Sequence, residues 1–416
     1  MKRALAALLA LAPILLATTC THAPSVIQVG AVYPLSGSQG PGGRDEYRGV
    51  AMAASLVDQD GGVGGRQIEL DPVDVSGGDQ APSAIDALAD RGVGIVLGTY
   101  GSTISQPAAA EAARRGMLFW ETGAVGSMPP PNDGGSSFFR VAPSGGVLGS
   151  DAVAFIAHRL APMLHRSPSS LRFGVVNVED VYGTTVGMGA VHEIHALGLP
   201  FVGRTSYDAN HLDADALVRR IAASRPDVLF VAAYLRDGIA LRRAMVRARL
   251  PLVANIGTSS SYCMPAFGDT LGRDAVGLYA SDKLDSEYVD PAGLTPSGRS
   301  LLRRARAEYE ERYGTEMSAA ALAGFSSAWA LFHSVMPVSS DLTPSSVAAA
   351  ALQVRLPIGD LPNGSGLDFG SPGTVDAGSN LRATSVIWEW VAPGRRAVVW
   401  PPRFATTPVD PIRIGL

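Results

Sequence analysis

The chain has 416 residues, 46% of them hydrophobic and 17% charged, with a formal net charge of −4. That length exceeds one simple core and points to two domains, and the apolar content excludes a disordered chain. The charge balance lacks the basic footprint of a nucleic-acid binder, and two cysteines exclude a disulfide framework or a cysteine-rich zinc site.

The first twenty residues read as a targeting segment. Lys2 and Arg3 precede an apolar run from Ala4 to Ala17, broken only by Pro13. This is short for a membrane span, which needs roughly 20 residues, and has the length of a secretory core. The segment closes on Cys20 in a way that resembles a bacterial lipoprotein signal, although Ala17 stands where leucine is usual and Thr19 where glycine or alanine is usual. Two outcomes follow: lipidation of Cys20 after removal of residues 1–19, or ordinary cleavage that leaves a free cysteine. Both place the chain outside the cytoplasm. Removal of Lys2 and Arg3 leaves 32 basic residues against 38 acidic ones, a net charge of −6. If Cys20 is lipidated, Cys263 has no intrachain partner.

From Val26 onward strands and helices alternate. "VIQVGAVYPLSG" is a strand run ending in a Pro/Ser/Gly loop, and "GRDEYRGVAMAASLVDQDGG" spaces Tyr47, Val50, Ala51, Ala54 and Val57 as one helical face stopped by Gly61 and Gly62. "RQIELDPVDV", "VGIVLGTY" and "MLFWETG" read as strands, with helices "QAPSAIDALADRG" and "QPAAAEAARRG" between them. The alternation repeats with helix "VLGSDAVAFIAHRLAP", strand "RFGVVNV", helix "GTTVGMGAVHEIHALG", strand "PFVGRTSY", helix "ADALVRRIAASRP", strand "DVLFVAAY", helix "DGIALRRAMVRARL" and strand "PLVANIG". The apolar runs lack period-2 alternation, so they suit strands covered on both faces in parallel α/β sheets. After Gly277 the order changes: helices "RSLLRRARAEYEERYG" and "SAAALAGFSSAWALFHSVM", a shorter one near 344–354, then turns and two late strands, "ATSVIWEW" and "RAVVWPP".

The ordered set "VGAVYPLSG", "GVAMAASLVDQDGGVGGRQIEL", "IVLGTYGSTISQPAAAEAARRGMLFWETGA", "FFRVAPS", "VVNVEDVYG", "PDVLFVAAY" and "EYEERYG" resembles the type I periplasmic solute-binding proteins of ABC importers, the branched-chain amino-acid-binding group. The resemblance implies an α/β fold of two Rossmann-like lobes with parallel sheets, joined by three hinge crossings, with the ligand in the interlobe cleft. It assigns 26–142 and 279–370 to the first lobe, 143–278 and 371–404 to the second, and 405–416 to a tail. It implies a monomer on the periplasmic face, tethered through Cys20, whose partners are a small polar solute and the subunits of a membrane permease, with no cofactor.

The stretch "GIVLGTYGSTISQP" brings a strand end to the cleft, where glycines admit close backbone approach and a helix N-terminus favours an anion. The resemblance aligns Ser102 with a serine that holds the ligand carboxylate, with Tyr100, Thr103 and Ser105 beside it. It aligns Gly123, Ala124 and Val125 with a second carboxylate-binding segment, in which a hydroxyl usual near Val125 is missing. Trp120 and Glu121 precede that segment, and a carboxylate at a strand end needs an arginine or a ligand ammonium or amide as partner. Tyr182 and Tyr234 align with cleft aromatics of the second lobe, Thr258 lies in the next strand-end segment, and Leu35, Ser36 and Gly37 complete the rim. That strand-end segment, "NIGTSSSYC", lacks the acid that amino-acid binders use for the ligand ammonium, which leaves Glu121 or Asp180 to supply it, or a ligand that is not an α-amino acid.

Catalytic patterns are missing. His192 and His195 lie three apart on a helix without a third metal ligand at suitable spacing. No G-x-S-x-G elbow follows the glycine-rich strand end, and no phosphate-cradling loop is present. A secreted hydrolase therefore lacks a nucleophile–base pair. The remaining readings are an importer's receptor and a ligand-sensing regulatory protein of the same fold. No membrane or signalling segment is read after residue 404, which disfavours a transmembrane sensor.

Overall fold

The computed structural model describes residues 26–128 and 137–411, so the targeting segment and Cys20 lie outside the described residues. Strand β1 (Ile27–Tyr33) is buried at every position but Gln28, as its unbroken apolar run requires. It pairs in parallel with β2 (Ile68–Asp74) on one side and β3 (Ile95–Gly98) on the other, and β4 (Leu118–Glu121) and β5 (Phe138–Arg140) extend the sheet beyond β3. The order is β2-β1-β3-β4-β5. A second sheet holds β6 (Phe173–Val178), β7 (Phe201–Tyr207), β8 (Val228–Ala232), β9 (Ala254–Thr258), β10 (Tyr279–Asp282), β11 (Val386–Ala392) and β12 (Arg395–Trp400) in the order β12-β11-β10-β9-β8-β6-β7. Its first five strands in sequence run parallel, and β11 and β12 add antiparallel at the edge. Among the described residues helices intervene between successive parallel strands except β4 and β5, giving two α/β lobes of the doubly wound kind.

The chain crosses between lobes three times, and two crossings differ from the sequence expectation. The first follows β5, before helix Gly145–Phe155. The second follows Asp282: residues 279–282 form β10 of the second sheet, so the return to the first lobe begins after that strand rather than at 279. Helix Pro296–Tyr313 then docks on the first lobe through Arg304, which donates to Asp60 at 2.7 Å. The third crossing follows Asn380 rather than residue 370. Arg140 donates its backbone N–H to the Gly378 carbonyl and accepts the Asn380 N–H, and Phe369 packs edge-on against Trp120, which keeps this stretch with the first lobe. The expected tail also packs: Thr406 donates its backbone N–H to Val398 at 2.9 Å and Val409 is buried.

Helix Gly40–Gln59 lies against helix Ala319–Trp329 in the first lobe. Gly49 and Gly324 set their closeness, since a Cβ at Gly49 would run into the carbonyl of Ala321 and one at Gly324 into the carbonyl of Glu46. The apolar stretch Ala319–Val338 is long enough to cross a membrane by length and composition, but it is a core helix here, 78% buried. The close approach buries the Glu46 side chain completely, beneath the strand ends that carry the site.

Candidate functional site

The C-terminal ends of the parallel strands of both sheets face one cleft of about 1170 Å³. From the first lobe it is lined by Ser38, Gln39 and Gly42 at the start of helix Gly40–Gln59, and by Tyr100 and Thr103 after β3. Asp180 after β6, Tyr234 and Arg236 after β8, and Ser260 and Met264 after β9 line it from the second. Tyr100 lies across Gly42, where any Cβ would collide with its ring. Gln39 reaches the first turn of helix Ser102–Arg114 and donates to Thr103 Oγ1 at 3.5 Å.

Behind Tyr100 the β3 and β4 ends are organised around Glu121. Its Oε1 accepts three backbone N–H bonds, from Thr99 at 3.0 Å, Gly123 at 2.9 Å and Ala124 at 2.7 Å, and its Oε2 accepts the Ser105 hydroxyl. Arg140, paired with Glu121 in the β4–β5 register, supplies a nearby positive field. Burial pushes the Glu121 carboxyl up to about 7, opposed by the Ser105 bond, the Arg140 field and the two N–H bonds from Gly123 and Ala124. Ser102 accepts the Gly126 N–H at 2.9 Å, which ties the start of the helix to the same loop.

A second buried layer runs into the second crossing. Thr122 donates to Glu46 Oε1 at 2.6 Å, while Glu46 Oε2 has no partner. Lys283, the first residue past β10, donates from Nζ to the Gly123 carbonyl at 2.9 Å, across the lobes. Burial pushes the Glu46 carboxyl up to about 8, with the Lys283 cation opposing and Glu121 adding to the rise. The free Cys263 thiol donates to Asp282 Oδ2 at 2.7 Å, and burial raises its pKa well above the thiol range. Asp282 Oδ1 has no partner.

On the second-lobe wall Tyr182 and Tyr234 pack with ring centroids 5.3 Å apart. Tyr234 donates to Asp180 Oδ2 at 2.6 Å, and Asp180 Oδ1 caps helix Val181–Ala196 by accepting the Gly183 N–H at 2.8 Å. The Tyr182 hydroxyl donates to the Ser259 carbonyl.

Of the residues expected at the site, Tyr100, Thr103 and Tyr234 line the cleft. Ser102, Gly123, Ala124 and Tyr182 lie behind its surface: Ser102 Oγ accepts the Gly126 N–H, the Gly123 and Ala124 N–H groups go to Glu121, and the Tyr182 hydroxyl goes to the Ser259 carbonyl. Val125 is buried, its carbonyl accepting the Gly145 N–H at 2.7 Å. Four expectations need correction. Trp120 points into the core, packs on Phe139 and Phe369, and donates Nε1–H to the Ser327 carbonyl at 2.9 Å. The Glu121 carboxylate is saturated by its own lobe. Ser36 is exposed and turned to Asp74, which accepts its backbone N–H at 3.1 Å, so Ser38 and Gln39 take the rim position. Thr258 is fully buried and donates its hydroxyl to the Ser281 carbonyl at 2.9 Å.

Sequence reasoning passed over Glu46, Lys283 and Asp282. Lys283 carried a signal: it and Lys2 are the two lysines of the chain, all other basic residues of this class being arginine. Among the described residues no group of three or more His, Cys, Asp or Glu side chains is placed to hold a metal ion.

Comparison with known proteins agrees with this architecture. The chain is 26% identical over 387 residues to the Leu/Ile/Val-binding protein homolog 8 of Brucella abortus (strain 2308), covering 92% of this chain and 93% of that protein. A leucine-binding protein of Thermotoga maritima superposes with a TM-score of 0.72 at 17% identity, over 90% of this chain and 97% of its own. An ABC transporter substrate-binding protein of Desulfitobacterium hafniense in complex with Leu superposes with a TM-score of 0.67 at 19% identity, over 90% and 100%. The family model for periplasmic binding proteins matches residues 26–376, a span that takes in the whole first sheet, both walls of the cleft and the first two crossings. The chain belongs to the periplasmic binding protein family, in its two-lobed type I form.

Proposed function

We propose that the protein is the extracytoplasmic solute receptor of an ABC importer. It captures a small polar solute, an amino acid or a related carboxylate or amide, when the two lobes close on the cleft, and delivers it to permease subunits in the membrane. The observation that carries this reading is the cleft itself: about 1170 Å³, between the carboxyl ends of two parallel sheets, with Tyr100 and Thr103 on one wall and Tyr234 on the other. Three chain crossings suit hinge closure around a guest. The names of the Brucella relative and of the Leu complex support an amino-acid-like ligand. Tyr100, Thr103 and Tyr234 contact the solute in this reading. Ser102, Gly123, Ala124, Val125 and Tyr182 shape the walls behind them. Cys20 tethers the mature chain to the membrane, with simple cleavage as the alternative.

The test is a thermal-shift screen across amino acids, amides, organic acids and sugars, followed by small-angle scattering with each compound that binds. A receptor melts about 2.7 kcal/mol more stably at 100 times the Kd, becomes more compact and returns the compound unchanged. A chemically altered compound, or no binding across the screen, overturns the proposal. Binding to the permease separates the importer from a sensor of the same fold.

A further inference from the structure

The segment after β9 carries no acid, but the next strand end does. Asp282 closes β10 at its carboxyl end and is 4% exposed. Its Oδ2 accepts the Cys263 thiol at 2.7 Å, and its Oδ1 has no partner. Ser260 and Met264, on either side of Cys263 in the chain, line the cleft. Tyr100 of the first lobe and Tyr182 of the second both feel this pair. Burial raises each hydroxyl's pKa, with Cys263 and Asp282 adding to the rise and Glu46 acting on Tyr100 as well. Asp282 therefore stands where the two walls meet.

Among the described residues no cation pairs with it. Lys283 sends its Nζ to the Gly123 carbonyl, and Arg396 pairs with Asp285 and reaches the Cys263 carbonyl. Other acids near the junction are occupied or shut in. Glu121 has both oxygens bonded by its own lobe, and Asp180 gives one oxygen to Gly183 and the other to Tyr234. Glu46 Oε2 is unpartnered, but a Cβ on Gly123 would run into it, so the loop covers it. A buried carboxylate oxygen without donor or cation is unfavourable, and a solute ammonium relieves it. The other end of an amino acid also has donors to meet. At the start of helix Ser102–Arg114 the N–H groups of Ser102 and Thr103 make no hydrogen bond among the described residues.

We propose that Asp282 seats the solute's ammonium: Oδ1 takes the cation while Cys263 holds Oδ2 in place. This moves the cation's seat from the β9 end to the foot of the second crossing. It deepens the receptor reading above and rests on it. Leucine, phenylalanine and glutamine, each beside its desamino acid, and any ammonium-bearing compound from the screen are titrated by calorimetry into the intact wild type and Asp282→Asn. An amino acid that binds the wild type binds the variant roughly thirtyfold or more weakly, whereas its desamino acid binds both alike. The unliganded variant melts no lower than the wild type, because a buried charge without a cation has gone.

Equal affinity of the amino acid for both proteins overturns this inference and leaves the receptor standing. So does an equal loss for the desamino acid, or a screen in which only compounds without an ammonium bind. No binder of any class removes both readings. A variant that melts several degrees lower counts against the inference, since the carboxylate then serves the fold. If Asp282→Asn does not fold, Asp282→Ser carries the same test, and failure of both to fold overturns it.

Discussion

Glu46 is a carboxyl group that folding moves to where its anion is least stable. Its ordinary value is 4.5, and burial raises it to about 8 in the fold. A carboxyl raised in this way stabilises the fold fully below its unfolded value and loses that contribution as pH rises through the folded one. Glu46→Gln removes the titration and keeps the shape. Relative to the variant, the wild type therefore weakens between about pH 5 and about pH 8, by an amount on the order of a few kcal/mol. Melting both proteins across that range checks it, and a gap independent of pH would refute the assignment. The sequence shows this residue only as one acid in a helical run. Its burial comes from Gly49 and Gly324, far apart in the chain. Trp120 and Glu121 were hard to place for a different reason. β4 is four residues long and buried throughout, so no alternation tells which side chain faces the cleft. Lys283 was legible from rarity alone, since beyond the targeting segment it is the single lysine of a chain that otherwise uses arginine.

At the scale of elements, long apolar runs and strong helical periodicity were readable, and short pieces defined by pairing were not. β5 has three residues and β10 four, below the length at which a pattern exists; only register against β4, β9 and β11 makes them strands. Missing β10 also misplaced the second crossing. Helix Ser102–Arg114 begins four residues before the alanine-rich stretch that announced it at Gln106, because the serines and threonine at its start occupy the first turn, where such residues are tolerated, and Pro107 sits inside it. The pair formed by Gly40–Gln59 and Ala319–Trp329 is the element on which the buried layer depends. Gly324→Ala sets a methyl group against the Glu46 carbonyl and forces the helices apart. We expect a loss of about 1–3 kcal/mol, measured by denaturant titration. The altered packing also lowers the raised pKa of Glu46 as water gains access, so the variant loses part of the wild type's pH dependence. A variant as stable as the wild type would show that the helices yield freely at this contact.

At the scale of the molecule, a crossing holds the lobes together whether they are open or closed, so closure must be decided by contacts away from the three crossings. Lys283 is poorly placed to decide it, since it is the first residue past β10 and belongs to a crossing itself. The bond between Ser127 and Thr185 is better placed. Ser127 belongs to the loop after β4 in the first lobe and Thr185 to helix Val181–Ala196 in the second, and the Ser127 N–H donates to Thr185 Oγ1 at 2.9 Å. Neither residue lines the cleft. Thr185→Val keeps the β-branched shape and removes the acceptor, so the lobes lose a bond made only when they meet. A bond of this kind is worth about 1 kcal/mol, and a ligand that needs the closed state then binds about fivefold more weakly, because the competent fraction falls. Calorimetry with any compound found in the screen reads that change, and scattering on the unliganded variant reads the matching shift toward the open form. Weaker binding with unchanged melting of the free protein places the loss in closure rather than in folding. Equal affinity in variant and wild type would mean that the lobes stay joined along this edge, and that the solute enters without parting them there.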